Sequence, residues 1–136
     1  MKIKDTVVVF PDIHFPHHDK KAFDCALNVI KKVKPSAFLC FGDFAEGESV
    51  SHWQWAKKKR PPVEYQLPAI YKEIDLVNKG LDRIDKVLKE VNCEKKIMAQ
   101  GNHELWFDHF VQENPYLSNI GSKKAFKIDE RGYKWY

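Results

Sequence analysis

Three short apolar runs, separated by two segments of helical periodicity, constrain the fold of this chain more than any other feature of its sequence. The runs span residues 6–10, 37–41 and 95–100, and the first two are followed directly by Pro11 and Gly42. Short apolar runs that end at such residues indicate buried strands. Strands that alternate with helices predict an α/β fold, with a parallel sheet, right-handed crossovers and flanking helices.

The first helical segment begins near Asp19 and ends before Pro35. Aspartate is a favourable N-cap, the lysines of the last turn complement the helix dipole, and proline cannot continue the helix. One face of this segment is apolar, so we expect it to pack on the sheet. The face consists of Phe23, Ala26, Leu27, Ile30 and Val33.

The second helical segment spans residues 67–91. Its apolar side chains recur in steps of three and four, which predicts a long helix on the sheet, although the same spacing also satisfies a coiled coil. A third helix is predicted over residues 105–114, ended by Pro115, and residues 44–63 are predicted to be irregular. The apolar seam consists of Leu67, Ile70, Ile74, Val77, Leu81, Ile84, Leu88 and Val91.

The composition is that of a soluble globular domain, with 136 residues and a net charge of +4. No apolar stretch approaches the roughly 20 residues that cross a bilayer, so we expect no membrane association and a cytoplasmic location. The mild positive charge permits an anionic substrate without requiring one. Cys25, Cys40 and Cys93 lack zinc-ligand spacing and are predicted to be small, reduced core residues.

Side chains of metal-binding types follow every predicted strand. Because the carboxyl ends of parallel strands meet at one edge of a sheet, we expect these side chains to form one site. Each motif alone also has a structural explanation, since aspartate caps helices and an Asn-containing turn accepts positive φ. The residues are Asp12 and His14 after the first strand, Asp43 after the second, and Asn102, His103 and Glu104 after the third.

Carboxylate, imidazole and amide groups together suit a pair of divalent cations. A carboxylate can bridge two cations at the separation of about 3.5–4 Å that phosphoester-cleaving sites use. Asp43 lies on the middle one of the three elements and is the predicted bridge. Manganese is the first choice of cation, and iron, zinc, nickel and magnesium are also compatible with these ligands.

The ordered motifs D-x-H, G-D and G-N-H-E, each after a strand, resemble the calcineurin-like metallophosphoesterase family. The stretch DIHFPHHD is similar to the N-terminal motif of small bacterial and phage-type members. The resemblance covers residues 6–110. It implies hydrolysis of phosphomonoesters or phosphodiesters at a dinuclear metal site.

The resemblance also implies a role for each residue of the motifs. Asp12 and His14 would hold one cation, Asp43 would bridge both, and Asn102 would hold the second. His103 would stay off the metals, contact the phosphate and protonate the leaving group. Glu104 would then orient His103 or raise its pKa.

The family completes its site with a later histidine and a G-H-x-H motif, and this sequence contains neither. After Glu104 the only histidine is His109. We therefore interpret residues 1–136 as a single domain, whole or truncated, that resembles the first half of the α/β/β/α sandwich of the family. Such a half implies an apolar sheet face that is exposed unless a second copy, a partner chain that supplies the missing half, or a rearranged tail covers it.

Residues outside the motifs leave two functions open. His17 and His52 are candidates for substrate contact, although loop histidines are more often exposed or packed. The basic run at residues 57–60 lies near Trp53 and Trp55, and charge beside stacking surfaces suits a nucleic-acid backbone. The first interpretation is a metal-dependent phosphoesterase. The second is a non-catalytic remnant that acts as a nucleic-acid-binding or interaction module.

Overall fold

A computed structural model describes residues 5–136, in which four parallel strands form one sheet in the order β1-β2-β3-β4. The predicted α/β class with a parallel sheet and flanking helices is confirmed. The expected number of strands is wrong, because the tail of the chain returns to add a fourth. That strand has two residues and lies in no apolar run, so the spacing of apolar residues does not predict it. The strands are β1 (Val7–Phe10), β2 (Ala37–Cys40), β3 (Lys95–Met98) and β4 (Lys134–Trp135).

Four α-helices accompany the sheet. The predicted N-cap is confirmed, since the Asp19 carboxylate accepts a hydrogen bond of 3.0 Å from the backbone N–H of Ala22. The third helix begins three residues before its predicted start, so the G-N-H-E motif lies on its first turn and not in a loop before it. The helices are α1 (Lys20–Val33), α2 (Val63–Glu90), α3 (Asn102–Glu113) and α4 (Ser122–Ala125).

The long helix α2 packs into the core of this chain, as the first interpretation of its apolar seam predicts. Its buried side chains share one cluster with those of α1 and of the sheet. The coiled-coil alternative is therefore not needed to explain the spacing, because the seam already has a partner. The seam residues that are fully buried are Ile70, Val77, Leu81, Ile84 and Leu88.

The two faces of the sheet differ in burial. Successive side chains of a strand point to opposite faces, and residues in register on neighbouring strands share a face. Phe10, Cys40 and Met98 are in register and buried. On the opposite face, Val7 and Val9 are 53% and 42% exposed. The predicted exposed apolar face is therefore present along β1.

The segment between β2 and α2 contains two short 3-10 turns, Glu48–Val50 and His52–Trp55, within the stretch predicted to be irregular. One cysteine prediction is wrong. Cys40 and Cys93 are buried, but Cys25 is exposed, because it lies on the outer side of α1. No helix among residues 5–136 is long and apolar enough to span a membrane.

Candidate metal centre

The loops that follow β1 and β2 continue side by side beyond the ends of the strands. The backbone N–H of Asp12 donates to the carbonyl of Gly42 at 3.3 Å, and that of His14 donates to the carbonyl of Asp43 at 2.9 Å. This pairing brings three of the predicted ligands together. The ligand atoms of Asp12, His14 and Asp43 lie within 4.8 Å of one another.

These three residues also share an unusual backbone conformation. Asp12, His14 and Asp43 have φ values of 47°, 57° and 48°. The left-handed region is uncommon for residues other than glycine, and each such residue costs on the order of 1–3 kcal/mol where it is held in a sparsely populated conformation. Strain of this kind persists only where the surrounding structure imposes it, and it is concentrated at functional sites. This strained backbone coincides with three side chains of metal-binding types, which favours a functional site here.

A glycine at the end of β3 allows the second and third strand ends to approach closely. A Cβ atom on Gly101 would lie 2.1 Å from Oδ1 of Asp43, and one on Gly42 would lie 2.6 Å from the backbone nitrogen of Gly101. Neither position therefore accepts a side chain without displacing Asp43 or the backbone beside it. The same Oδ1 of Asp43 accepts a hydrogen bond of 3.0 Å from the backbone N–H of His103.

The carboxylate of Glu104 holds this junction together through hydrogen bonds to the backbone. Its carboxylate accepts hydrogen bonds of 2.8 Å from the backbone N–H groups of Asp43, Ala45 and Gly101. Both oxygens are thus occupied by backbone, and the side chain is fully buried. Burial raises the pKa of Glu104, while the three hydrogen bonds act in the opposite direction. Glu104 thus holds the second and third loops together, and its predicted role in orienting His103 stays a prediction.

Glu46 supplies the group that does orient His103. The Nδ1 atom of His103 lies 2.5 Å from the backbone carbonyl oxygen of Glu46. A carbonyl oxygen only accepts, so Nδ1 carries the proton, and the neutral ring has its lone pair on Nε2. The ring stacks on Trp106 with centroids 4.1 Å apart and meets His14 edge-on at 4.7 Å.

A second group of ligand atoms adjoins the first. The ligand atoms of His14, Glu46 and His103 lie within 4.8 Å of one another. The sequence placed Glu46 outside the motifs, although an acid three residues after Asp43 was a usable signal. Trp106 was also missed, and its spacing of three residues from His103 on a helix predicts that contact.

Three predicted site residues lie outside the two groups of ligand atoms. Asn102 is exposed at the first residue of α3. His17 is exposed and pairs with Glu48 at 3.1 Å. His52 pairs with Glu113 at 3.3 Å. Glu113 ends α3, about 15 Å along the helix from His103 at the usual rise per residue.

This position of His52 does not support the predicted substrate contact, because the ring lies at the opposite end of α3. His17 remains near the first loop, since its backbone N–H donates to the carbonyl of His14 at 2.8 Å.

The donors at this edge of the sheet fit divalent cations. Two carboxylates and an imidazole converge in the first group, and these are ligands of borderline and hard cations. Cys40 lies nearby at the end of β2, but burial raises the pKa of its thiol to about 12. Among the described residues, Cys40 belongs to neither group of converging ligand atoms.

Comparison with known proteins identifies the family of this chain. The sequence model of the calcineurin-like phosphoesterase family matches residues 6–136. The searches of curated proteins and of solved structures found no match for this chain. The matched region contains all the strands and all three loops described above. The chain therefore belongs to the calcineurin-like phosphoesterase family.

Proposed function

We propose that this protein is a metal-dependent phosphoesterase that hydrolyses phosphomonoesters or phosphodiesters at a dinuclear site. Family membership supports the metal dependence and the class of substrate. The observation that carries the proposal is the convergence of Asp12, His14 and Asp43 on strained backbone at the carboxyl edge of the sheet. Such edges are where open parallel sheets bind their ligands.

In this proposal Asp12 and His14 hold one cation, Asp43 is shared, and Asn102 extends the site toward a second cation. When bound, the cations neutralise phosphate charge and lower the pKa of a water molecule. Manganese is the proposed cation, since the carboxylate and imidazole ligands suit it. His17, at the rim of the first loop, is the proposed outer contact to the substrate.

His103 provides the proton in this proposal. Its Nδ1–H is held by the Glu46 carbonyl, which leaves Nε2 as the atom that would contact a substrate. In the imidazolium form Nε2–H donates to the leaving oxygen of the ester and transfers its proton as the bond to phosphorus breaks. Stacking on Trp106 holds the ring in one orientation while this occurs.

Hydrolysis of chromogenic phosphate monoesters and diesters, with and without Mn²⁺, tests the proposal. We expect Mn²⁺-dependent turnover that Asp43→Asn reduces by at least about a hundredfold, because a shared ligand is lost. Asp75→Asn is the matched control, since Asp75 is exposed on α2 and pairs with Lys79 on the same helix. Turnover that is independent of Mn²⁺, or equal in the Asp43→Asn variant, would refute the proposal.

A nucleic-acid-binding role stays the second candidate, and one observation favours it. Trp53 is 77% exposed, which leaves its ring free to stack on a base. One residue of the basic run at residues 57–60 is already paired within the chain, since Arg60 forms an ion pair with Glu113 at 2.9 Å. Single-stranded oligonucleotide binding that weakens steeply with salt, and on Trp53→Ala, would support this role. An oligonucleotide affinity that neither added salt nor Trp53→Ala reduces would exclude this role.

A further inference from the structure

A cleft lies beside the candidate metal centre, and none of the converging ligand atoms lines it. It has a volume of about 410 Å³ and lies between the first loop, the two 3-10 turns and α2. His17 connects the cleft to the metal centre, since its side of the first loop lines the cleft and its backbone N–H donates to the carbonyl of His14 at 2.8 Å. A cleft of this size holds one small organic group.

One side chain of this cleft, that of Glu73, is buried with half of its hydrogen-bonding capacity unused. It is 7% exposed, and its Oε2 accepts hydrogen bonds from the backbone N–H of Ser49 at 2.9 Å and from the Ser49 hydroxyl. Its Oε1 is buried and has no hydrogen-bond partner in the described part of the chain. Folded proteins rarely leave a buried acceptor in this state. The terminal torsion of glutamate is soft, so a small rotation turns Oε1 toward a donor in the cleft.

The other polar side chains of the cleft also offer acceptors. Gln54 uses its amide nitrogen to donate to the carbonyl of Ser49 at 3.1 Å, which leaves its amide oxygen as an acceptor. Glu48 contacts the imidazole of His17 through Oε2 at 3.1 Å and has a second carboxylate oxygen. With Oε1 of Glu73, three residues thus present acceptor oxygens, so a ligand that fits the cleft brings hydrogen-bond donors.

The charges of the cleft favour a neutral donor. The carboxylates of Glu48 and Glu73 repel a phosphate group, which is better held by cations at the metal centre. A basic side chain accompanies each carboxylate, since Lys72 also lines the cleft and His17 pairs with Glu48. Hydroxyl groups are neutral donors, and they satisfy an acceptor without adding charge. Apolar surface from Leu76 lies beside these groups and suits the carbon skeleton of such a ligand.

We propose that this cleft binds the alcohol part of the phosphoester substrate, and that this alcohol carries several hydroxyl groups, as a sugar does. One of these hydroxyls donates to Oε1 of Glu73. The proposal rests on the proposed function, because the phosphate then lies at the metal centre while the alcohol extends past His17 into the cleft. Glu73 determines specificity in this arrangement and takes no part in proton transfer.

Titration of ribose into metal-free protein, followed by amide NMR spectra, tests the proposal without any activity measurement. We expect the signal of the Ser49 backbone N–H to shift, because its acceptor is Glu73. Glu73→Gln should weaken ribose binding at least about fivefold, the equivalent of one hydrogen bond. The Ser49 N–H retains the amide oxygen of the new side chain, so its NH₂ group faces the cleft and cannot accept from a hydroxyl.

Glu64→Gln is the matched control, since Glu64 is an exposed acid on the same helix and does not line the cleft. It should bind ribose as the unsubstituted protein does. Circular dichroism confirms that both variants are folded. A Ser49 signal that ribose does not move, or an equal ribose affinity in folded Glu73→Gln protein, would overturn the proposal.

Turnover of two esters separates this proposal from the proposed hydrolysis. Ribose 5-phosphate has hydroxyl groups on its alcohol part and phenyl phosphate has none, so Glu73→Gln should raise the KM for the first at least about fivefold more than the KM for the second. Mn²⁺-dependent turnover of neither ester, with the ribose-induced shift of Ser49 intact, would remove the phosphoesterase proposal and leave the hydroxyl-binding cleft. Turnover that responds to Asp43→Asn, with equal effects of Glu73→Gln on the two KM values, would do the reverse.

Discussion

The site depends on residues that tolerate an unfavourable backbone. Asp12, His14 and Asp43 each adopt left-handed φ values, and each follows the end of a strand or its extension. Parallel backbone pairing between the first two loops and the clamp of Glu104 hold them there. A left-handed residue turns the chain abruptly, so the side chains of two successive loops can face a common point. The free energy that this costs is offset by the hydrogen bonds of the loops.

Gly101 is the residue whose replacement tests this close packing most directly. We expect Gly101→Ala to lower the free energy of unfolding by about 1–3 kcal/mol, because the new Cβ overlaps the Asp43 carboxylate. Mn²⁺ affinity should fall as well, since Asp43 must move. Urea denaturation and calorimetric titration measure the two effects. Gly121→Ala is the control, because the nearest atom to its Cβ would be 3.4 Å away, and equal losses in both variants would contradict the explanation.

His18 should make the stability of the protein depend on pH. Burial against Phe15 and Phe23 lowers the pKa of its imidazole, with Lys20 and Arg83 acting in the same direction and a backbone contact and Asp24 opposing them. The unfolded chain therefore binds the proton more readily than the folded one. It follows that the free energy of unfolding falls as the pH drops below the ordinary value of 6.5.

The substitution His18→Phe keeps an aromatic ring in this pocket and removes the titration. We expect the variant to lose less stability than the unsubstituted protein between about pH 7.5 and about pH 5. Urea denaturation at both pH values gives the comparison. His52→Phe, which replaces an exposed ring, should retain the original dependence. A His18→Phe variant with the same dependence as the unsubstituted protein would show that other groups cause it.

At the scale of helices and strands, the sequence predicts the elements that apolar periodicity and capping residues specify. The spacing of apolar residues identified α1 and α2, and Asp19 gave the start of the first helix correctly. The start of α3 was placed too late because Asn102 and His103 look like turn residues, whereas the tertiary contact of Glu104 with three loop amides begins the helix earlier. β4 had no local signal at all, since its pairing with β3 decides its conformation.

The candidate site shows the same difference between features that have a local sequence signal and features that depend on tertiary contacts. The sequence identified residues whose chemistry is evident from their type and their place after a strand, such as Asp12 and Asp43. It could not show that Glu104 is saturated by backbone N–H groups, or that Glu46 turns toward His14, because both depend on how three loops meet. The position of His52 could not be predicted for the same reason: proximity along the chain does not reveal that its loop runs to the far end of α3.

Glu104→Gln tests the junction between α3 and the loops. The amide nitrogen would face a backbone N–H in place of an acceptor oxygen, so at least one buried donor loses its partner. We expect a loss of about 1–3 kcal/mol in the free energy of unfolding, measured with urea. Glu90→Gln, at an exposed position near the end of α2, should change it by less than about 0.5 kcal/mol. Comparable values for the two variants would show that the clamp contributes little.

At the scale of the whole molecule, the C-terminal segment closes the buried side of the sheet. Phe126 and Ile128 are fully buried in the same cluster as the strands, and Tyr133 joins them. The chain then pairs with β3, where the backbone N–H of Gln100 donates to the carbonyl of Tyr136 at 2.7 Å. Gln100 precedes Gly101 directly. The tail thus braces the strand that delivers the third loop of the site.

Arg131 fastens this tail to α2. Its side chain is 8% exposed and bonds to Asp85 at 2.6 Å and to the backbone carbonyl of Phe126 at 2.9 Å. A guanidinium in such a position is paired in two directions, and its loss leaves the partly buried Asp85 carboxylate with Lys96 at 3.5 Å and the hydroxyl of Tyr133 at 2.8 Å. Removing one partner of a largely buried pair is costly, because Asp85 then keeps a longer ion pair, at 3.5 Å in place of 2.6 Å, and the hydroxyl contact.

We therefore expect Arg131→Ala to lower the free energy of unfolding by about 3–5 kcal/mol. Arg83→Ala is the control: Arg83 also pairs with an aspartate, Asp24, at 2.6 Å, but both side chains are more than half exposed, so the loss should not exceed about 1 kcal/mol. Urea denaturation measures both. Amide exchange at Tyr136 and Gln100 should accelerate in Arg131→Ala alone, since the tail then separates from β3 more readily. If the two arginine variants lose equal stability, the tail is held by its apolar contacts and not by Arg131.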